Sequence, residues 1–247
     1  MKHLSSLKLS KFRQKYGQFV VEGRKAVEEV FHSGWKVLGI WCTEEFITKH
    51  RPPYSFERMS VAENKKLSTM ETPPGVLAWV EIPAYDDNTA EGSADKTSFT
   101  LVLDGISDPG NLGTLIRLAD WYGLSNIVAS LDTVDSFNPK VLSASMGSFL
   151  RVRVTYVDLP RWISEFSGTI FGADLAGESV YDCVVPLPTA LIIGSESHGL
   201  RTEVKQALHR FVTIPRIGEA ESLNAGIAAA IIMDNLLRKM QIVPSKS

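Results

Sequence analysis

The stretch FVTIPRIGEAESLNAGIA, residues 211–228, contains the end of a strand, a polar loop and the start of a helix. Pro215 removes a backbone N–H at the point where the apolar strand would otherwise continue. Ser222 is the candidate N-cap of a helix that runs toward Lys239, and Gly218 gives the loop backbone freedom. Taken alone, this is an ordinary connection in an α/β protein, although polar ligands also bind where a loop opens onto a helix N-terminus.

Two other segments have the same order of buried strand, glycine-rich polar loop and helix. They are LDGISDPGNLGTLIR, residues 103–117, and IIGSESHGL, residues 192–200. Apolar strands alternate with helices throughout this part of the chain, which predicts a parallel sheet covered on both faces. Ligands of such sheets bind at the carboxyl ends of strands, where all three loops lie. The predicted strands are 100–103, 126–129, 151–157, 169–173, 190–193 and 211–214.

A smaller α/β unit is predicted before residue 82. Its strands are expected at 19–21, 37–42 and 76–82, and its helices at 22–31 and 61–69. The segment 83–98 is polar, acidic and poor in large apolar side chains, which is typical of a linker. The predicted organisation is a domain of residues 1–82, a linker of 83–98 and a domain of 99–247.

Composition is that of an ordinary globular protein, because 44% of the 247 residues are hydrophobic and 22% are charged. The sequence has no apolar run of roughly 18 residues, which a membrane span needs, and no signal-peptide core. We therefore expect a cytoplasmic protein without a membrane partner. Cys42 and Cys183 lie far apart, without histidines at ligand spacing, so we expect buried thiols and neither a disulfide nor a metal site.

The net charge of −2 does not decide whether the partner is a nucleic acid, but the charge is unevenly distributed. The first 25 residues hold seven lysines and arginines against the single acid Glu22. Such a terminus is as consistent with a solvated surface as with phosphate binding. Arg13, Lys15 and Arg24 are the candidate RNA contacts in this segment.

The common nucleotide-binding and hydrolase motifs are missing from these loops. Residues 110–113 lack the GxGxxG spacing of a dinucleotide site, and no GxxxxGK[ST] P-loop occurs in the sequence. The run GSESHG, residues 194–199, contains serine, glutamate and histidine but not the GxSxG elbow of a serine hydrolase.

The three loops together resemble motifs 1, 2 and 3 of the SpoU, or TrmH-like, RNA ribose methyltransferases of the SPOUT superfamily. The patterns are N-x-G-x-x-x-R over residues 111–117, G-x-E-x-x-G over 194–199 and I-P-x-x-G-x-x-x-S-L-N over 214–224. The resemblance covers about residues 99–240. The segment from Arg13 to Gly23 is similar to the substrate-binding domain that many members carry.

This resemblance implies a C-terminal trefoil-knotted parallel-sheet methyltransferase domain and a small N-terminal α/β substrate-binding domain. It implies S-adenosylmethionine-dependent methylation of a ribose 2′-hydroxyl in rRNA or tRNA by a homodimer, with the active site near the subunit interface. Backbone groups at Gly194, Ile214 and Leu223 are the expected cofactor contacts.

The resemblance also identifies the candidate catalytic residues, which are Arg117, Asn111, Glu196, Ser222 and Asn224. Arginine is effectively always protonated and is a poor base, so we expect Arg117 to grip an RNA phosphate and polarise the hydroxyl. Simpler structural roles remain open for the others. Asn111 and Ser222 would serve as helix caps, Asn224 as a first-turn residue and Glu196 as a salt-bridge partner of Arg117.

The sequence leaves two other functions open. One is a knotted methyltransferase that acts on an RNA base nitrogen, although Asn111, Arg117 and the Ser-Leu-Asn signature at 222–224 argue against it. The other is a catalytically silent RNA-binding module, which the loss of Arg117 or Glu196 would have favoured. Both residues are present.

Overall fold

The computed structural model describes residues 1–84 and 99–240, and the chain divides into two compact units. The N-terminal unit comprises Met1–Tyr85 and Asp135–Arg151, and the C-terminal unit comprises Asp86–Val134 and Val152–Ser247. The segment Asp135–Arg151 therefore groups with the N-terminal unit, whereas the sequence placed it inside the predicted domain 99–247. Apart from its first two residues, the predicted linker 83–98 lies outside the described ranges.

The N-terminal unit contains a four-stranded sheet in the order β1-β4-β2-β3. Both β1 and β2 run antiparallel to β4, and β3 runs parallel to β2. The strands are β1 Gln18–Glu22, β2 Val37–Cys42, β3 Glu57–Arg58 and β4 Val76–Glu81. The helices are α1 Lys2–Ser6, α2 Ser10–Tyr16, α3 Arg24–His32, α4 Glu44–His50, α5 Val61–Leu67 and α7 Pro139–Ser145, with a short 3-10 helix at Ser148–Leu150. The predicted α/β character is confirmed, and the structure adds β3, α1, α2 and α4 to the predicted elements.

The core of the N-terminal unit takes side chains from both of its chain segments. Phe19 is fully buried, and its ring centroid lies 4.8 Å from that of Phe137 and 6.0 Å from that of Phe149. Leu142 belongs to the same buried cluster. Because these side chains fill the space beside β1, the N-terminal core is not completed by residues 1–84 alone.

The C-terminal unit contains a six-stranded sheet in the order β10-β8-β9-β5-β6-β7. All five strand pairs are parallel, which confirms the predicted parallel sheet. The strands are β5 Phe99–Asp104, β6 Asn126–Ser130, β7 Arg153–Val157, β8 Thr169–Ser179, β9 Thr189–Gly194 and β10 Arg210–Thr213. The helices are α6 Pro109–Trp121, α8 Leu159–Glu165, α9 Thr202–Ala207 and α10 Ala225–Lys239. The trefoil knot stays a prediction.

The end of β8 and the start of α10 differ from the positions expected from the sequence. β8 extends to Ser179, because β10 pairs both with residues 171–172 and with residues 178–179 of this strand. The register shifts between Phe211 and Val212. Helix α10 begins at Ala225, and its N-cap is Asn224 rather than Ser222. No helix in the described ranges is long and apolar enough to cross a membrane.

Candidate active site

The candidate site lies where the carboxyl ends of β5 and β9 meet. These strands are neighbours, with Asp104 in register with Gly194 at their ends. From β5 the chain continues to β6, toward one edge of the sheet, and from β9 it continues to β10, at the opposite edge. A reversal of strand order of this kind opens a crevice, which is the usual ligand site of a parallel sheet.

The first loop presents Asn111 from the start of α6. The backbone N–H of Gly105, where φ is +68°, donates to Ser130 Oγ at 2.8 Å and so fixes the beginning of the loop. Asp108 is the N-cap of α6 and accepts from the backbone N–H of Asn111 at 2.8 Å. Asn111 is therefore not the cap, and its buried side chain accepts at Oδ1 from Asn224 Nδ2 at 2.8 Å.

The second loop is a tight turn that presents Glu196. Ser195 and Gly199 exchange two backbone hydrogen bonds of 3.1 and 2.9 Å across it. A Cβ atom on Gly194 would lie only 2.2–2.4 Å from backbone atoms of Gly199 and Leu200. The close approach of these two backbone segments requires glycine at position 194.

The third loop ends at Asn224, which joins all three motifs. Glu196 Oε1 accepts from Asn224 Nδ2 at 2.5 Å and from the backbone N–H of Ala225 at 3.4 Å. Asn224 Oδ1 in turn caps α10 by accepting from the backbone N–H groups of Gly226 and Ile227. A carboxylate at a helix N-terminus is favoured by the helix dipole. Asn111, Glu196 and Asn224 thus form one hydrogen-bonded group.

An ion pair that was not predicted from the sequence joins the first two loops. Asp104 is fully buried, and its Oδ1 and Oδ2 accept from Arg201 Nε at 2.6 Å and from the Arg201 backbone N–H at 2.8 Å. Burial by itself would lower the pKa of Arg201, but Asp104, together with Asp132 and Glu203, raises it above its ordinary value. The available signal was an aspartate that closes the apolar run FTLVLD, residues 99–104.

Two of the predicted catalytic residues lie outside the hydrogen-bonded group of Asn111, Glu196 and Asn224. The Arg117 side chain is exposed on α6 and makes no hydrogen bond or ion pair with another described residue, so the structure does not bear out the alternative in which Glu196 pairs with Arg117. Ser222 is also exposed and has no hydrogen bond to any described residue. His198 in the second loop is exposed, and its Nδ1 lies within hydrogen-bond distance of Ser197 Oγ, at 2.7 Å.

Residues 98–234 match the model of the SpoU rRNA Methylase family, and residues 1–78 match the MRM3-like substrate binding domain. The chain belongs to the SpoU rRNA methylase family. The first of these matches contains all three loops of the site. The second contains every described element of the N-terminal unit up to the middle of β4.

The similarity to individual SpoU methylases and other relatives extends along nearly the whole chain. The 23S rRNA (guanosine(2553)-2′-O)-methyltransferase RlmP of Bacillus subtilis strain 168 is 30% identical, over 96% of this chain and 95% of that protein. The SpoU methyltransferase AviRb of Streptomyces viridochromogenes in complex with AdoMet is 26% identical, with a TM-score of 0.81 over 96% of both chains. The AdoMet-bound rRNA methyltransferase of Sinorhizobium meliloti is 26% identical, with a TM-score of 0.82 over 96% of this chain and 93% of that one.

The positions expected to hold the cofactor of a SpoU methylase border the site. Gly194 ends β9, and Ile214 follows β10 with an intermediate exposure. Leu223 directly precedes Asn224 and is 44% exposed, and Ile217 in the same loop is fully exposed. The third loop therefore presents apolar side chains to the surface beside the hydrogen-bonded group.

Arg13 is not available as an RNA contact. It is 2% exposed, and its Nε and Nη2 donate to Asp135 Oδ2 at 2.8 and 2.6 Å. Its Nη1 donates to the backbone carbonyls of Leu7 and Lys8, both at 2.8 Å. Burial and full pairing correct the prediction for Arg13, which is a structural residue that binds α2 to the segment Asp135–Arg151.

The other two RNA candidates of this SpoU methylase lie at the surface. Lys15 is exposed on α2, with its Nζ 5.4 Å from the ring centroid of Tyr16. Arg24 donates from Nε to Glu28 at 2.8 Å and contacts His50 Nδ1 at 3.3 Å. Its side chain remains 56% exposed.

Both cysteines are free and buried, which confirms the expectation of core thiols. Burial raises the pKa of Cys42 to about 11 and also raises that of Cys183. Among the described residues, no three His, Cys, Asp or Glu side chains come together in a way that would hold a metal ion.

Proposed function

We propose that this SpoU methylase transfers a methyl group from S-adenosylmethionine to a ribose 2′-hydroxyl of ribosomal or transfer RNA. The observation that carries the proposal is the hydrogen-bonded group of Asn111, Glu196 and Asn224 at the switch point between β5 and β9. Each member comes from a different motif of the ribose methyltransferase pattern. The 2′-O-methyltransferase activity named for RlmP supports the same reaction class.

The residues around this group fit S-adenosylmethionine. We assign its contacts to backbone groups of Gly194, Ile214 and Leu223, because these border the crevice. The exposed side chains of Ile217 and Leu223 offer apolar surface to an adenine ring, and the Glu196 carboxylate offers a charge opposite to that of a sulfonium. When bound, the cofactor supplies an electrophilic methyl group.

The attacking ribose oxygen must be aligned and must lose a proton, and Arg117 is suited to part of this task. Its side chain is exposed and unpaired among the described residues, so its planar donors are available to an RNA phosphate. From there Arg117 polarises the neighbouring 2′-hydroxyl. Ser222 is assigned as a second polar contact, from the third loop.

Asn111 is assigned to the ribose, with its orientation set by its neighbours. Asn224 donates to Oδ1 of Asn111, so the NH₂ group of Asn111 faces away from Asn224 and can donate to a substrate oxygen. Glu196 accepts from the same Asn224 amide and keeps that amide from turning. Glu196 therefore orients the group rather than neutralising Arg117.

The N-terminal unit is assigned to RNA binding through its exposed basic side chains. Lys15 and Arg24 are exposed, on α2 and α3, and both are suited to phosphates. Phosphate contacts fix the position of an RNA without reading its sequence. The match to the MRM3-like substrate binding domain supports this assignment.

We further propose that the protein acts in the cytoplasm as a homodimer, without a metal ion. Trp121 on α6 is 84% exposed, and Ile227 on α10 is 53% exposed. These two helices pack closely, since a Cβ on Gly226 would lie 2.9 Å from Thr114 Cγ2. Exposed apolar side chains on adjacent helices are typical of a surface that a second subunit covers.

The test is transfer of labelled methyl from S-adenosylmethionine to total RNA from a strain that lacks this gene, followed by nucleoside mass spectrometry. A 2′-O-methylated nucleoside is the expected product, and mapping it identifies the RNA. A base-methylated nucleoside would replace the proposal with a base methyltransferase. No incorporation, together with no cofactor binding by calorimetry, would replace it with a silent RNA-binding module.

A further inference from the structure

Among the described residues, the buried carboxylate of Asp104 has a single side-chain partner, Arg201. Asp104 is the last residue of β5, and both of its oxygens are taken by the Nε and the backbone N–H of Arg201. Arg201 is 34% exposed, and its guanidinium also lies 3.4 Å from Asp132 and 3.7 Å from Glu203. A buried carboxylate held in this way keeps its position, because separating it from Arg201 would leave an uncompensated charge in the interior and would lower the stability of the fold.

The pair stands at the bases of the two loops that form the candidate site. Asp104 directly precedes the loop that leads to Asn111, and one residue, Leu200, separates Arg201 from the turn 195–199. Gly194, at the other end of that turn, is held beside Asp104 by the sheet register. Both ends of the turn that carries Glu196 are therefore fixed to the end of β5.

We propose that Asp104 and Arg201 are positioning residues for methyl transfer, which hold the turn so that Glu196 reaches Asn224 and Ala225. The inference rests on the proposed role of Glu196. The bond from Asn224 Nδ2 to Glu196 Oε1 is 2.5 Å, and that from the Ala225 N–H is 3.4 Å. A displacement of the turn by about 1 Å would break the second bond and strain the first, and misplacements of this size can cost about 100-fold in rate.

The first experiment compares Arg201→Ala and Arg201→Lys in methyl transfer to the RNA substrate. We expect Arg201→Ala to lower kcat by about 10- to 100-fold with the KM for RNA unchanged, because the residue acts on loop position and not on RNA contact. Arg201→Lys keeps a cation beside Asp104 and should recover kcat to within about fivefold of the wild type. Arg210→Ala is the matched control, because Arg210 is also 34% exposed and pairs with a carboxylate, Glu178.

The second experiment is a double-mutant cycle between Arg201 and Glu196. If Arg201 acts through Glu196, Arg201→Ala should change kcat by less than about threefold once Glu196 is alanine, because coupled residues are not additive. A purely structural role would lower kcat by the same factor in both backgrounds and would overturn the proposal. If Arg201→Ala does not fold, Asp104→Asn takes its place in the same cycle.

The outcomes separate this inference from the proposed function. A large loss for Glu196→Ala with no loss for Arg201→Ala overturns the positioning role and leaves the proposed site intact. No loss for Glu196→Ala overturns the proposed role of Glu196 and the positioning inference with it. A drop in kcat for Arg210→Ala equal to that for Arg201→Ala also overturns the positioning role, because the effect would then follow from losing any ion pair at the sheet.

Discussion

Asn224 donates its side-chain amide to the Glu196 carboxylate at 2.5 Å, and the same amide donates to Asn111 at 2.8 Å. The oxygen of that amide caps helix α10. A single side chain therefore starts the last described helix and connects the first and second loops of the site. Because the cap and the connection use opposite ends of one amide, they can be separated by substitution.

The Asn224→Asp substitution keeps the cap of helix α10 and removes the amide that donates to Glu196 and Asn111. Aspartate is as good an N-cap as asparagine, but it has no N–H to donate and brings a second carboxylate next to Glu196. We expect kcat for methyl transfer to fall by at least about 100-fold, the loss typical for removal of a preorganised donor. Asn235→Asp, which adds the same charge farther along α10, is the control. Turnover within a few-fold of the wild type would contradict the assigned orientation of Asn111.

Arg117→Ala should abolish methylation while changing cofactor affinity by no more than a few-fold. The side chain makes no hydrogen bond or ion pair with another described residue, so its loss should leave the free energy of unfolding within about 0.5 kcal/mol of the wild type. Arg161→Ala, on α8, removes another exposed charge and should leave turnover unchanged. Calorimetry with S-adenosylmethionine and an RNA methylation assay measure the two effects. Loss of cofactor binding in Arg117→Ala would refute this division of labour.

The meeting of the three loops could be predicted, because the carboxyl ends of parallel strands share one edge of a sheet. The residue that caps helix α10 could not be predicted in this way. Ser222 and Asn224 are both good N-cap residues, and the selection of Asn224 depends on Asn111 and Glu196, which are distant in sequence. The same limit applies to Arg13, whose burial depends on Asp135, 122 residues away.

The grouping of residues 135–151 with the N-terminal unit could likewise not be predicted from the sequence. Apolar periodicity shows that a segment has a face to bury, but it does not show against which core that face packs. The side chains of Phe137, Leu142 and Phe149 belong to the N-terminal core because they lie in or against the same buried cluster as Phe19. A fragment that ends within residues 83–98 would therefore have an incomplete N-terminal core.

Arg13→Ala and Lys15→Ala should have opposite consequences. Arg13→Ala leaves Asp135 without its cation and should lower the free energy of unfolding by roughly 3 kcal/mol, as expected for breaking a buried pair. Lys15→Ala should not change stability, but it should weaken RNA binding and reduce the slope of log affinity against log salt by about one. Urea unfolding and RNA titrations at several salt concentrations provide the comparison. Equal stabilities for the two variants would contradict the structural role of Arg13.

Tyr54→Phe should stabilise the protein. The Tyr54 hydroxyl is buried and has no hydrogen-bond partner among the described residues, so removing it should raise the free energy of unfolding by about 1–2 kcal/mol. Tyr181→Phe is the control, because Tyr181 is 54% exposed. Unfolding by urea at neutral pH measures both, and a lower stability for Tyr54→Phe would indicate that its hydroxyl is satisfied in solution.

Alkaline pH should destabilise the wild type more than Tyr54→Phe. Burial raises the pKa of Tyr54 to about 12 and that of Cys42 to about 11, from ordinary values of 10.0 and 9.0. The folded state then binds more protons than the unfolded state, so the contribution of the two groups to stability is fully present below pH 9 and is lost as pH rises through about 11 for Cys42 and about 12 for Tyr54. Urea midpoints from about pH 8 to about pH 12 measure the loss, which for Tyr54 occurs above pH 10. The same slope in both proteins would show that Tyr54 does not contribute to it.

Gly194→Ala and Gly218→Ala test which loop glycine the cofactor site requires. A Cβ on Gly194 would overlap the backbone of Gly199 and Leu200 at 2.2–2.4 Å, so the turn that carries Glu196 must open. A Cβ on Gly218 would meet nothing within 4 Å, and φ at this residue is not in the left-handed region. We expect Gly194→Ala to weaken S-adenosylmethionine binding by at least about 10-fold, since backbone atoms cannot yield as a side chain does, and Gly218→Ala to bind normally. Calorimetry on both variants, with circular dichroism as a check of folding, decides the matter. Normal affinity in a folded Gly194→Ala variant would show that the turn 195–199 does not form part of the cofactor site. If the backbone of this turn did bind the cofactor, opening the turn would displace the contacts and lower the affinity.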